Sequence, residues 1–181
     1  MKLNIPDADF FVFENFLLKP EEALNWIASN EPWEQLYHNG YKAPRLNKGY
    51  GKGYTYSGHS IPDTPIPAHY QRLINQLEKD WSIKSNQILL NYYRNGTDSI
   101  GLHADDEKEL GYNPTVVSLS LGDSRTFELV NKKTGLIYPI ELNNNQLLIM
   151  GNMSQVLYRH RIRKQEGKGR RISITFRQVV V

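Results

Sequence analysis

The second half of the chain consists of one β-rich segment after another. Between residues 87 and 180, eight short segments are rich in β-branched and aromatic residues, and several alternate apolar with polar side chains. Turn residues separate them, as in NKKTG (131–135), NNNQ (143–146) and QEGKG (165–169). The predicted strands span 87–94, 99–105, 115–122, 125–131, 136–142, 146–151, 156–163 and 171–180. So many strands in so short a stretch predict an antiparallel β-sandwich or jelly roll.

Two segments before residue 87 have helical character. Pro20 and two acidic residues open the segment 20–29, as helix N-termini prefer. The segment 65–81 repeats apolar residues at helical spacing and ends at Trp81. We therefore expect a mainly β fold with flanking helices, in which two N-terminal helices pack on one sheet.

Length and composition predict one domain over residues 1–181, because the chain has 181 residues and no repeat or linker divides it. There are no cysteines, which excludes disulfides and thiolate metal sites and favours an intracellular location. The N-terminus is too acidic for a signal peptide, and no apolar run approaches the ~18 residues of a membrane helix. The net charge of +3 is compatible with a polyanionic partner but does not require one.

A histidine and an aspartate stand two residues apart near the end of the second predicted strand. Residues two apart on a strand share a face, so His103 and Asp105 present an imidazole and a carboxylate side by side. Taken alone, this pair also fits a strand end that reaches solvent. His160, in another predicted strand, supplies a third ligand of the right type. Two histidines and one carboxylate form the facial triad of non-haem Fe(II) oxygenases.

Two arginines share one face of the last predicted strand, since Arg171 and Arg177 are six residues apart. A fixed guanidinium can hold a carboxylate through two parallel hydrogen bonds. The residues at 172, 174 and 176 are apolar, so the arginine face is either the lumen of the barrel or the exposed surface of the sheet. The sequence leaves both placements open.

From about Trp33 onward, the chain resembles the AlkB family of Fe(II)- and 2-oxoglutarate-dependent nucleic-acid dealkylases, and most closely its vertebrate DNA-repair members. The matching motifs are H-x-D at 103–105, a distant histidine at 160, R-x5-R at 171–177, N-x-Y at 91–93 and PRLNKGYGKGYTYSG at 44–58. The resemblance implies a double-stranded β-helix, or jelly roll. Residues 87–181 would form its core, and residues 1–86 an N-terminal extension with the substrate-recognition segments.

The resemblance also implies a role for each matching residue. The iron ligands would be His103, Asp105 and His160, and no catalytic residue beyond them is expected. The residues expected at the 2-oxoglutarate site, or bracing Asp105, are Asn91, Tyr93, Arg171, Ser173, Thr175 and Arg177. Ser173 stands where the family usually has asparagine, and its hydroxyl still donates one hydrogen bond. The residues expected to contact substrate are Arg45, Tyr54, Tyr56 and Glu107, with Tyr37 as a wedge that fills the gap left by a flipped base.

The expected activity is oxidative demethylation of bases such as 1-methyladenine and 3-methylcytosine in DNA or RNA, with Fe(II), 2-oxoglutarate and O2. The basic segment, residues 159–171, holds seven Lys or Arg in 13 positions and is expected to contact phosphates or to remain a solvated hairpin. Lysines 42, 48 and 52 would form the opposite rim.

Two other functions remain open from the sequence. One is an oxygenase that acts on a protein, lipid or small molecule, and the other is a non-catalytic jelly-roll binding module. A monomer with no membrane association is expected, in a bacterial cytoplasm or a nucleus. The sequence does not distinguish DNA from RNA or single from double strands, and it leaves the lesion preference open.

Overall fold

The computed structural model describes residues 1–38, 41–56 and 59–180, without the side chains of His38, Tyr56 and His59. The helices are α1 (Pro20–Asn30), α2 (Ala68–Trp81) and α3 (Ser154–Leu157), with a 3-10 turn at Lys108–Leu110. The strands of the N-terminal part are β1 (Phe10–Phe13), β2 (Tyr37–His38), β3 (Tyr41–Lys42), β4 (Leu46–Gly51), β5 (Tyr54–Tyr56) and β6 (His59–Ile61). The remaining strands are β7 (Gln87–Tyr93), β8 (Ile100–His103), β9 (Val116–Gly122), β10 (Arg125–Asn131), β11 (Ile137–Leu142), β12 (Gln146–Met150), β13 (Tyr158–Ile162) and β14 (Arg171–Arg177).

Two antiparallel sheets make up most of the molecule. The six-stranded sheet has the order β1-β12-β9-β14-β7-β4, and the four-stranded sheet has the order β11-β10-β13-β8. A buried cluster joins their facing surfaces, with Met150 of the larger sheet and Phe127 and Ile162 of the smaller one among its members. All eight predicted strands are present, which confirms a mainly β, antiparallel, jelly-roll-like fold.

Both predicted helices are present. Helix α1 begins at Pro20, as its N-terminal residues indicate. Helix α2 begins at Ala68 rather than at residue 65, because Pro67 forces Ile66 out of the helical region and itself stands at the N-cap. It ends where Ser82 adopts a left-handed conformation and its N–H bonds to carbonyls of the last turn.

Two strands of the larger sheet come from the N-terminal part of the chain, where the sequence analysis placed none. Strand β1 pairs with β12 at one edge, and β4 pairs with β7 at the other. The sequence of β4, LNKGYG, has two glycines and few β-formers, so it does not look like a strand. Pairing with the buried strand β7 decides its conformation, as tertiary context often does for strands.

The alternation of side chains on β14 separates two environments. Ile172, Ile174 and Phe176 belong to a hydrophobic cluster that also contains residues of α1 and α2, such as Leu24 and Leu77. The polar residues of β14 lie on the opposite face, between the two sheets, and are all buried. The arginine face is therefore the interior and not a solvated surface. Among the residues described, no helix is long and apolar enough to cross a membrane.

Candidate metal centre and cosubstrate cavity

Three side chains lie close together near the β8 edge of the smaller sheet. His160 lies in the middle of β13 and is the cross-strand partner of His103, the last residue of β8. Ligand atoms of His103, Asp105 and His160 all lie within 4.8 Å of one another. The sequence predicted that His103 and Asp105 share one face of a strand. Strand β8 instead ends at His103, so strand alternation does not bring Asp105 to the group. The chain bends after the strand and turns Asp105 inward.

Asp105 is held in place by two residues that are distant in sequence. Arg177 donates to Oδ1 of Asp105 from Nη2 at 2.6 Å and from Nε at 3.1 Å. The backbone N–H of Asp105 donates to Oε1 of Gln155 at 2.9 Å. The other carboxylate oxygen, Oδ2, is buried, has no hydrogen-bond partner among the described residues and lies 3.6 Å from Nε2 of His160. An unpartnered, buried carboxylate oxygen beside an imidazole fits a metal ligand.

The protonation states also suit a metal. Burial alone raises the pKa of Asp105, but the Arg177 guanidinium and the two imidazoles outweigh burial and hold this pKa at about 2. Burial lowers the pKa of His103, and it lowers the pKa of His160 to about 3. Nδ1 of His103 lies 2.8 Å from the Gly101 carbonyl, so Nδ1–H donates there and Nε2 keeps its lone pair. The donor set is one carboxylate and two neutral imidazoles, which fits Fe(II).

The group opens into a cavity between the two sheets. The cavity is lined by the three candidate ligands, by the predicted cosubstrate residues Asn91, Tyr93, Arg171, Ser173, Thr175 and Arg177, and by Ile100, Ser118, Phe127, Met150 and Ile162. Every residue that the sequence analysis assigned to iron or to 2-oxoglutarate therefore lines one cavity. Cross-strand pairing explains this, since Asn91 pairs with Ser173, and Tyr93 with Arg171.

Arg171 lies in this cavity and is 1% exposed. Its Nη2 donates to Oγ of Ser120 at 2.7 Å, and its guanidinium lies 5.3 Å from the ring centre of Tyr93. Its Nε and Nη1 are buried and have no hydrogen-bond partner in the described part of the chain. Burial lowers the pKa of Arg171 to about 10, so the group stays charged at neutral pH. A buried guanidinium with two nitrogens still able to donate fits the carboxylate of a dicarboxylic acid.

The residues predicted to contact substrate are spread more widely, and none of the four described side chains lines this cavity. Arg45 is buried, and its Nε donates to Oδ1 of Asn91 at 2.8 Å. Tyr54 is buried in a small apolar cluster under β5. Tyr37, in the short hairpin β2–β3, is about half exposed. The side chain of Tyr56 lies outside the described part of the structure.

Glu107 lies close behind the metal group. Burial, followed by the neighbouring Asp105 carboxylate, raises the pKa of Glu107 to about 7. Its Oε2 is buried and has no hydrogen-bond partner within the described ranges. A ligand that donates a hydrogen bond to Oε2 would therefore remove the cost of leaving this buried oxygen unpaired.

Three further residues take part in this network, and the sequence analysis missed them. Ser120 bonds Arg171, Gln155 bonds the backbone of Asp105, and Asn47 donates to Asn91. Ser120 had a sequence signal, because it interrupts the apolar strand TVVSLSLG on alternate positions with Ser118. Gln155 and Asn47 had none, since their roles depend on distant segments.

Part of the charge in the basic segment is already paired. Arg161 and Arg163 donate to one carboxylate oxygen of Glu128, at 2.6 and 3.0 Å. Lys168 donates to Ser124 at 2.6 Å, and Arg170 to Asn25. Arg159 and Lys164 are exposed. On the predicted opposite rim, two of the three lysines form ion pairs, Lys48 with Glu34 and Lys52 with Asp63.

A facial triad and a buried arginine in the interior of a jelly roll define a mononuclear non-haem iron oxygenase that uses a dicarboxylic cosubstrate. The sequence model of the 2OG-Fe(II) oxygenase superfamily matches residues 9–177. The chain belongs to this superfamily and, within it, to the AlkB family, so the predicted resemblance is confirmed. Fe(II) and 2-oxoglutarate are the metal and cosubstrate of the superfamily, and O2 is its oxidant.

The relatives support this assignment. The chain is 34% identical over 173 residues to the rat (Rattus norvegicus) alpha-ketoglutarate-dependent dioxygenase alkB homolog 3, and the match covers 86% of this chain and 58% of that protein. The human protein of the same name is 33% identical over 177 residues, covering 86% and 60%. The bovine DNA oxidative demethylase ALKBH2 is 26% identical over 158 residues, covering 81% and 57%. The chain thus spans about three fifths of the length of these relatives.

A solved structure shares the fold. The structure of OsALKBH1 matches with a TM-score of 0.68 and 19% sequence identity, covering 93% of this chain and 97% of that one.

Proposed function

We propose that this protein is an Fe(II)- and 2-oxoglutarate-dependent dioxygenase that demethylates N-alkylated nucleobases of the 1-methyladenine and 3-methylcytosine type, in DNA or RNA. The proposal rests on one observation. Arg171 lines the same cavity between the two sheets as the group His103, Asp105 and His160. The nucleobase substrate is supported by the relatives, which include a DNA oxidative demethylase.

The proposed reaction balances without a further reductant. One oxygen atom of O2 enters 2-oxoglutarate, which loses CO2 and becomes succinate. The other oxygen enters a C–H bond of the N-methyl group, and the resulting N–CH2OH group breaks its C–N bond to leave N–H and formaldehyde. When bound, Fe(II) activates O2 for this transfer. In this scheme the protein residues bind and orient the reactants.

The roles of the cavity residues follow from their contacts. Arg171 holds the far carboxylate of 2-oxoglutarate through N–H groups of its guanidinium, two of whose nitrogens have no partner among the described residues. Asn91, Tyr93, Ser173 and Thr175 offer further polar groups along the cosubstrate. Arg177 neutralises Asp105 and keeps its second oxygen turned toward the two imidazoles.

The substrate base lies outside this cavity, against residues that the N-terminal extension, 1–86, brings to its mouth. A base has to leave the stack before its methyl carbon can approach the iron. Glu107 accepts a hydrogen bond from the amino group of the base, which satisfies its buried oxygen. Of the predicted substrate residues, Tyr54 offers an aromatic face to the pocket, Arg45 lines it and Tyr37 is the wedge. The predicted role of Tyr56 concerns a side chain outside the described part of the structure.

Exposed cations of the basic segment contact the phosphates. Arg159 and Lys164 are exposed and better suited to this role than Arg161 and Arg163, which form ion pairs with Glu128. On the far side of the larger sheet, we propose that the packing of α1 and α2 serves as support, because their buried residues share one cluster with β14. The helices then keep the polar face of β14 in a fixed position.

Formaldehyde release tests the proposal. The purified protein is incubated with Fe(II), ascorbate, 2-oxoglutarate and an oligonucleotide that bears one 1-methyladenine, beside a His103→Ala control. We expect stoichiometric formaldehyde and succinate from the native protein and neither from the variant. Succinate without formaldehyde, on DNA and RNA alike, would remove nucleic acid as the substrate and leave an oxygenase that acts on another class of molecule. Absence of both products would refute the enzyme and leave a binding module.

A second experiment isolates the basic segment. Neutralising Arg159 and Lys164 while sparing Arg171 should weaken binding to a single-stranded oligonucleotide and lower the slope of log Kd against log salt by about 1.4, since each phosphate contact contributes about 0.7. An unchanged salt slope would show that the phosphates lie elsewhere. The affinity for 2-oxoglutarate serves as the control and should not change.

A further inference from the structure

We infer that Asn47 is a positioning residue, whose side chain fixes the orientation of the Asn91 amide toward the cosubstrate. The inference rests on the proposed function and deepens it, because it concerns the same cavity. Nothing in the motif that contains Asn47 marks it as different from its neighbours in the sequence LNKGYG. Its importance follows from the pairing of β4 with β7, which sets Asn47 directly opposite Asn91.

The Asn91 amide is oriented by two donors. Its Oδ1 accepts a hydrogen bond from Nδ2 of Asn47 at 2.6 Å and another from Nε of Arg45 at 2.8 Å. A carbonyl oxygen has two lone pairs, so these bonds use both. The polar atom that Asn91 keeps for the cavity is therefore Nδ2, an N–H donor. A donor is what an anionic cosubstrate requires at this position.

The environment of Asn47 indicates that this bond is what holds its side chain. Asn47 is 2% exposed, and its Oδ1 is buried without a hydrogen-bond partner in the described parts of the chain. Leaving such an oxygen unsatisfied is unfavourable, because no hydrogen bond offsets the loss of its contacts with water. Rotating the amide by half a turn would not help, because it would place the Asn47 oxygen against the Asn91 oxygen. The amide nitrogen thus faces Asn91 even though its oxygen remains unsatisfied.

Asn47 stands at the end of a polar row across the larger sheet. The cross-strand partners are Asn47 with Asn91, Asn91 with Ser173, and Ser173 with Ser120, which in turn bonds Arg171. The row therefore runs from the edge strand to the guanidinium expected to hold the cosubstrate. A change at Asn47 acts on the cosubstrate from outside the cavity, since Asn47 does not line it.

The sharpest test is Asn47→Asp, which preserves the shape of the side chain and replaces its donor with an acceptor. A carboxylate at 47 attracts Nδ2 of Asn91, so the Asn91 amide turns and its oxygen faces the cosubstrate. We expect the Kd for 2-oxoglutarate, measured by calorimetry on the Mn(II)-loaded protein without O2, to rise by at least about tenfold. The Mn(II) affinity should stay within about twofold of that of the native protein.

Two further variants keep the test decisive. Asn47→Thr retains a donor and should bind 2-oxoglutarate more tightly than Asn47→Leu, which has a similar size and none. In an Asn91→Ala background, Asn47→Asp should change the Kd by less than about twofold, because the amide on which it acts is gone. This loss of effect separates positioning from a general structural role.

The outcomes separate the two claims. If the native protein binds Mn(II) and 2-oxoglutarate but Asn47→Asp binds them equally well, the inference fails and the proposed function stands. An effect that persists undiminished without the Asn91 side chain also overturns the inference. If Asn47→Asp does not fold, equal affinities for the Thr and Leu variants overturn it. If the native protein binds no 2-oxoglutarate, the proposed function fails first and the inference with it.

Discussion

Replacing Arg171 with methionine should stabilise the cosubstrate-free protein while it strongly weakens 2-oxoglutarate binding. Arg171 is a buried cation, and two of its N–H groups have no hydrogen-bond partner among the described residues. Burial lowers its pKa to about 10, which means that the folded state disfavours the charged form. Against an ordinary value of about 12.5, this difference corresponds to a cost on the order of 3 kcal/mol at every pH below 10.

The expected gain is smaller than this cost. Methionine fills much of the same volume without a charge, but it loses the bond to Ser120, which is worth about 1 kcal/mol. A net gain of about 2 kcal/mol remains, within the range found when buried ions are replaced by apolar residues. For a chain of this size, the melting temperature should rise by about 4–8 °C.

Binding should change in the opposite direction. Arg171 offers a carboxylate two charge-assisted hydrogen bonds, and the loss of such a pair should raise the Kd for 2-oxoglutarate by about a hundredfold or more. Arg171→Lys is the matched control, because it keeps the charge but not the planar pair of donors. It should bind 2-oxoglutarate with intermediate affinity and show no gain in stability.

Scanning calorimetry with and without Mn(II) and 2-oxoglutarate measures both effects. We expect the methionine variant to melt above the native protein without ligands and to show no upward shift with 2-oxoglutarate. A methionine variant that melts lower without ligands would refute the reasoning, because the guanidinium would then be a net stabilising group. A full ligand-induced shift would refute the assignment of Arg171 to the cosubstrate.

Three other predictions follow from contacts away from Arg171. Gln155→Leu removes the acceptor that positions the backbone of Asp105 and should weaken Mn(II) binding by about tenfold, measured by metal titration. It should also lower stability by about 1–3 kcal/mol, because a buried N–H loses its partner. Glu128→Gln removes the acid that pairs with two arginines of the basic segment, so it should strengthen oligonucleotide binding at low salt. An unchanged affinity would argue against phosphate contact by those arginines. Burial and the Glu31 carboxylate raise the pKa of Tyr70, so the unfolded chain loses that proton first and stability should fall as the pH rises through about 10. Urea titrations at pH 8 and above should show a smaller fall for Tyr70→Phe, and an identical fall would contradict the assignment.

The sequence determined the strand content and the chemical identity of the centre. Alternation of apolar and polar residues is a local property, so the eight strands from residue 87 onward could be identified without the tertiary structure. The residue types at His103, Asp105 and His160 restrict the metal chemistry wherever they lie. The sequence also predicted that these three residues lie close together, because the order and spacing of the motifs matched those of a family.

Only the tertiary structure decided the surroundings of that centre. Whether the arginines of β14 face the interior depends on which side of the sheet the helices cover, and that is a property of the assembled layers. The strand β4 exists because β7 offers it an edge, although its own sequence favours a loop. Asn47, Ser120 and Gln155 acquire their roles across separations of 44, 51 and 50 residues. Hydrogen bonds of this kind depend on three-dimensional proximity, and neither periodicity nor residue type encodes them locally.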